Sequence, residues 1–149
     1  MKTLIYPFAG YLLLLTTIGC SLHSHSHRGH EAHSSSPSSS QDHGLVLNGT
    51  RKWKTDEHTS AVFSLMSARV FEQDLKSQSG DDLKELGISL RQDIDDLIAG
   101  CTMEGDAHNE LHKFLVLYIP EVEQLRKLGD LDNANNVGEL LEVYLQYFD

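Results

Sequence analysis

The clearest pattern in the chain is a stripe of apolar positions between residues 83 and 101. Leu83, Leu86, Leu90, Ile94, Leu97 and Cys101 follow at steps of 3, 4, 4, 3 and 4, which sets them on one face of a 3.6-residue helix. Asp81 or Asp82 stands near its start and Gly100 near its end. Ahead of it, Val62, Met66 and Val70 recur every four residues, flanked by Phe63 and Leu65. Thr55 or Asp56 can cap this first helix, and the pattern carries it to about Lys76. Ser77-Gln78-Ser79-Gly80 is the break. A third stripe, His108, Leu111, His112, Leu115, Ile119 and Val122, follows Asp106 as N-cap. Pro120 lies inside it and should kink or divide the helix, with Leu125 and Leu128 continuing beyond. Residues 129–135 read as a polar loop, and a fourth helix runs from about 136 to 148 with Val137, Leu141, Tyr144 and Phe148 inward.

Four amphipathic helices on short connections predict an all-α fold, an antiparallel up-down four-helix bundle over residues 44–149. Residues 44–54 hold strand-like residues, the turn signal Asn48-Gly49 and Trp53. They read as a lead-in packed on the bundle, too short to build a sheet.

Residues 1–19 break the helical pattern differently. Lys2 precedes an apolar stretch from Leu4 to Thr17, too short for a comfortable membrane span and interrupted by Pro7 and Gly10, so it reads as a signal peptide. It closes in Thr17-Ile18-Gly19-Cys20, which resembles a bacterial lipobox, although Thr17 stands where that pattern prefers Leu. The resemblance implies cleavage before Cys20 and its acylation. Ser21 after the anchor then implies an outer-membrane lipoprotein facing the periplasm. A signal cut elsewhere would leave Cys20 an ordinary thiol. With Cys20 acylated, Cys101 is the one remaining thiol in an oxidising compartment.

Between anchor and bundle, residues 21–43 carry six of the nine histidines and nine serines, with only Leu22 and Ala32 apolar. Such a segment cannot offset its ordering entropy by burial, so residues 20–43 read as a disordered tether. His23, His25, His27, His30 and His33 fall within eleven residues. A flexible chain can gather them around Cu²⁺, Zn²⁺ or Ni²⁺ with little selectivity. A plain hydrophilic spacer, or a pH-responsive one, is the competing reading.

Charge narrows the function classes. Twelve basic against 22 acidic side chains leave −10, which argues against nucleic acid, whose phosphates need clustered Lys and Arg. Two cysteines cannot make a disulfide scaffold. Neither a Gly-rich phosphate loop, nor G-x-S-x-G, nor H-E-x-x-H is present, and the expectation is a binding protein, not an enzyme.

In an up-down bundle the start of the first helix, the end of the second and the start of the third share one end. Every histidine outside the tether maps there: His58, His108 and His112, beside Cys101 and Met103. His108 and His112, four residues apart, stack on one helical face. Cys101 follows Leu97 and Ile94 inward, Met103 lies two residues on, and His58 is one turn before Val62. Thiolate, thioether and imidazole are a soft set suited to copper; zinc accepts Cys and His but rarely Met. A carboxylate-bridged di-iron site would need Glu-x-x-His pairs, which are absent. Each residue also has a bland role, Cys101 as a small core hydrophobe, Met103 as a gap filler, the histidines as helix-end hydrogen bonders.

The segment Cys101-Thr102-Met103-Glu104-Gly105-Asp106-Ala107-His108-Asn109-Glu110-Leu111-His112, with Leu47-Asn48-Gly49, Lys52-Trp53 and Asp56-Glu57-His58-Thr59 before it, resembles small exported bacterial helical domains with a C-T-M-x-G-x-A-H-x-x-L-H core. The resemblance spans residues 47–149 and implies a helical fold, without implying an activity. The sequence therefore leads to a lipid-anchored envelope protein that binds a transition metal, copper before zinc. A structural or interaction bundle with an envelope protein partner is the alternative. Catalysis by Cys101 with His108 ranks third, as does bis-histidine haem ligation.

Overall fold

The computed structural model describes residues 43–149; the signal, Cys20 and the histidines at 23–33 lie outside the described residues. Four α-helices follow in order: α1 Glu57–Phe71, α2 Gly80–Gly100, α3 Gly105–Leu128 and α4 Leu131–Tyr147. A single 3₁₀ turn, Leu75–Ser77, stands between α1 and α2, and no strand occurs among the described residues. The fold is all-helical.

Each boundary has a local cause. Asp56 caps α1, its Oδ1 accepting from Thr59 N at 2.7 Å. The helix ends at Phe71, short of Lys76, because inward positions stop at Val70. Asp74 then turns its side chain onto Lys76 N at 3.2 Å and starts the 3₁₀ turn, an Asp competing with the helix for backbone donors. Ser79, part of the expected break, opens α2 through a reciprocal capping box with Asp82.

In α2 the whole leucine stripe is buried from Leu83 to Leu97. α3 starts at Gly105 behind Glu104, which makes no side-chain cap, so Asp106 sits in the first turn and not at the cap. Pro120 does not divide α3, which is continuous to Leu128. The carbonyl that forgoes its N–H partner belongs to Val116, 71% exposed, so water can take that place. The expected loop at 129–135 shrinks to Gly129-Asp130. Gly129 ends α3 at φ 64°, and Asp130 caps α4 by accepting from Asn133 N at 2.8 Å. Ala134, inside the stretch that reads as polar, is buried.

The core gathers Phe63, Phe114, Tyr118, Tyr144 and Phe148. Phe63 of α1 stacks on Tyr144 of α4 with ring centroids 3.6 Å apart, and Phe114 of α3 meets both edge-on at 5.6 and 5.5 Å. Leu65, expected to flank the inward row, is exposed. At Gly87 the backbones of α2 and α3 approach so closely that a Cβ would fall 2.5 Å from Arg126 N. The lead-in is bound to the end of α4: Trp53 N donates to Tyr147 O at 2.8 Å and Asp149 N to Trp53 O at 3.0 Å. Leu45 is buried in the core, and Val46 N donates to the carboxylate of Glu110 on α3.

Candidate metal centre

The connection between α2 and α3 is only residues 101–104, and it is pinned to the start of α1. Thr102 N and Oγ1 both donate to Asp56 Oδ2, at 2.6 and 2.7 Å, while the other oxygen of Asp56 caps α1. Partial burial alone would raise the Asp56 carboxyl, but the hydrogen bonds from Thr59 and Thr102 prevail and hold it far below the usual range. The end of α2, the start of α3 and the start of α1 therefore meet at one place.

Cys101 and His108 are brought together there. Cys101 is the C-cap of α2, half-buried, and its Sγ lies 3.8 Å from His108 Nδ1. One turn on, His112 Nε2 lies 2.9 Å from His108 Nε2. A consistent tautomer has the thiol donating to His108 Nδ1 and His108 Nε2–H donating to His112. The two nitrogens of His108 thus face different neighbours. Cys101, His108 and His112 line one pocket of about 90 Å³ between α2 and α3, completed by Leu97, Ile98, Leu111 and Leu115.

The other two candidates sit apart from this pocket. His58 lies across Gly100, where a Cβ would overlap its ring. Its Nε2 is 3.0 Å from the carbonyl of Asp96 and 3.9 Å from the Asp96 carboxylate. The i, i+4 relation of His58 to Val62 holds, but the ring turns to the end of α2 and not to the thiol. Met103 is partly buried and packed against the core, outside the pocket lining. Among the described residues, no group of three or more His, Cys, Asp or Glu is disposed to hold a metal ion. The thiol and the His108 imidazole lie side by side, and His112 meets the far nitrogen of His108.

Two positions at this end had no signal in the spacing. Glu110, between the two histidines, is buried and accepts from Val46 N and from Lys113 Nζ at 2.8 Å. Its first partner is a backbone group 64 residues away, and no local pattern announces such a pair. Asp56 was legible as a cap, but not as the tie to Thr102. No helix among the described residues is long and apolar enough to cross a membrane. Comparison of the chain with protein-family models, with curated proteins and with solved structures found no match.

Proposed function

We propose that this protein is a lipid-anchored envelope protein that holds a transition-metal ion, copper before zinc, with Cys101 Sγ and His108 Nδ1 as its donors on the bundle. The observation that carries the reading is their 3.8 Å separation. A tetrahedral ion with metal–sulfur and metal–nitrogen bonds of roughly 2.3 and 2.0–2.1 Å holds those atoms about 3.5 Å apart. The ion therefore takes the place of the thiol proton with a movement of a few tenths of an ångström. His112 serves as the partner of the far nitrogen, fixing the tautomer that leaves Nδ1 free to bind. A thiolate beside an imidazole favours a soft or borderline cation.

The arrangement of the helices belongs to the same reading. Alternating up and down directions are supported by Asp56 meeting Thr102, by His58 meeting Asp96 and by Gly80 lying against Gly129. Each pairs the start of one helix with the end or connection of another. The anchor at Cys20 and loose capture by His23, His25, His27, His30 and His33 complete the reading. The histidines feed ions to the bundle from a high local concentration.

The test is an anaerobic Cu(I) competition titration of the full-length chain, purified in detergent. Cys101→Ala and His108→Ala should each remove one tight equivalent, and His58→Ala should leave the number unchanged. If neither pocket variant alters the tight equivalents, the bundle is no metal site, and an interaction module with incidental histidines takes its place.

A further inference from the structure

We propose that the lead-in, residues 44–54, is a docking surface for an anionic phospholipid bilayer, with Arg51, Lys52 and Lys54 facing the headgroups and Val46, Leu47 and Trp53 seated at their level. Neither a metal at Cys101 and His108 nor acylation of Cys20 is needed for this. Charge is sharply divided along the bundle. Residues 44–55 carry the three cations and no acidic side chain, whereas residues 56–149 hold 7 basic against 20 acidic. In the helices Arg69, Lys84, Arg91, Lys113 and Arg126 are each matched to a carboxylate. Arg51, Lys52 and Lys54 are exposed and form no ion pair among the described residues. Asp149, held to Trp53 through its backbone, offsets only part of their charge. A cluster of unpaired cations on an otherwise acidic protein selects an anionic surface.

The lead-in is also a built turn. Asn48 and Arg51 exchange backbone hydrogen bonds at 2.9 and 3.2 Å. Trp53 Nε1 donates to Val46 O at 2.7 Å, and Lys52 Nζ to Leu145 O at 2.6 Å. Leu45 below it is buried in the core. These bonds hold two exposed aliphatic side chains, Val46 at 55% and Leu47 at 40%, beside the cations, and exposed Leu145 of α4 next to Lys52. A surface fixed in this way loses little conformational entropy when it docks.

The side-chain types favour a bilayer over an acidic protein. Tryptophan is at home at headgroup level, and Lys and Arg can lay their alkyl stems on apolar surface while their charged ends reach phosphate. A standard protein interface draws on about 20–30 residues a side, and the lead-in has eleven. Each Lys or Arg close to an anionic membrane strengthens attachment roughly fivefold, and the effect dies away within a Debye length. No helix among the described residues can cross a membrane, so the contact is peripheral.

The test uses the fluorescence of Trp53, the one tryptophan of the chain, which reports this patch whatever else holds the protein on a vesicle. Full-length chain is reconstituted into vesicles of phosphatidylcholine alone or mixed with phosphatidylglycerol, with bromine on the upper acyl carbons as quencher. Trp53 should be quenched in the anionic vesicles and not in the neutral ones. The quenching should be reversed at about 1 M salt, where the Debye length is about 3 Å. Arg51→Ala/Lys54→Ala should lower the docked-to-undocked ratio about 25-fold. Both side chains are exposed, so circular dichroism should show the same helix content as the parent. Equal quenching in both kinds of vesicle overturns recognition of anionic lipid, and quenching that survives the double substitution overturns the assigned cations. Absence of quenching in either vesicle overturns the bilayer as occupant and passes the surface to an acidic protein.

Discussion

Two polar clusters interrupt the apolar seams of this bundle, and they are built in opposite ways. In mid-helix Asp93 of α2, 8% exposed, receives Arg69 of α1, whose Nε donates to Oδ2 at 2.7 Å and Nη2 to Oδ1 at 3.4 Å. Acid and base come from neighbouring helices and complete each other. At the bundle end the side chains of Cys101, His108 and His112 are linked, among the described residues, only to one another, in a row facing a pocket. A buried charge must be paired or the fold loses several kcal/mol; the end row buries no carboxylate or guanidinium that would need such a partner. The contrast separates residues that hold the bundle from residues it merely presents.

The sharpest way to break the contrast is to orphan the closed cluster. Arg69→Ala leaves the Asp93 carboxylate buried without its cation, and the loss should be about 2–3 kcal/mol, below the figure for a fully buried pair because the guanidinium is partly exposed. Chemical denaturation should show it as a lower midpoint with unchanged slope. Arg69→Ala/Asp93→Asn should recover part of the loss, since the charge itself is gone. Tyr118 gives a companion probe. Burial, and then the charge of Asp93, drive its phenol far above its usual range, so ultraviolet titration should show no ionisation of Tyr118 before the bundle unfolds. Tyr144, pushed up to about 12 chiefly by burial, should ionise before it.

A smaller effect attaches to Asp56, which ties the two ends of the site region together without lining the pocket. Asp56→Ala removes the α1 cap, and the expected loss is about 1 kcal/mol at neutral pH. Its folded carboxyl lies below the unfolded value of 3.8. The stabilisation is therefore fully present above that value and declines as pH falls through and below it. The gap between parent and variant should narrow in acid, and a gap constant from pH 7 to pH 2 would exclude the hydrogen-bonded carboxylate as its source.

How much of this could be read in the sequence follows from how local each interaction is. The α2 stripe and the α1 row were legible because a helix face repeats every three or four residues, and those apolar positions are buried as the spacing requires. Cys101 and His108 were legible as neighbours because the connection between their helices is short. The start of α4 was not. Asp130, Asn133, Asn135 and Asn136 look like loop, whereas one cap bond and one buried Ala134 suffice to continue a helix through them. His58 shows a related limit, since whether it reaches the other candidates could not be read from spacing: an inward-facing row fixes a Cα position, but the bare Gly100 beneath it lets the ring lie over the end of α2. Side-chain direction depends on what the opposite helix leaves empty.

The smallest expected effect is the one that bears most on the comparison. His112 is exposed, and its ring meets His108 and the pocket without filling the core. Without metal, His112→Ala should shift stability by no more than ~0.5 kcal/mol. Cys101→Ser should cost less than about 1 kcal/mol, since its sulfur is only half-buried. If both variants unfold near the parent in metal-free buffer, while Arg69→Ala does not, the end cluster is dispensable to the fold. Its thiol and imidazoles are then conserved in geometry by the helices around them, not the reverse. Copper should restore the distinction in the opposite sense, stabilising the parent by RT ln(1 + ion concentration/Kd) and leaving Cys101→Ser little changed. A loss of several kcal/mol from His112→Ala without metal would instead make the two clusters alike, and the histidine row would be a structural device of the same kind as Asp93 and Arg69.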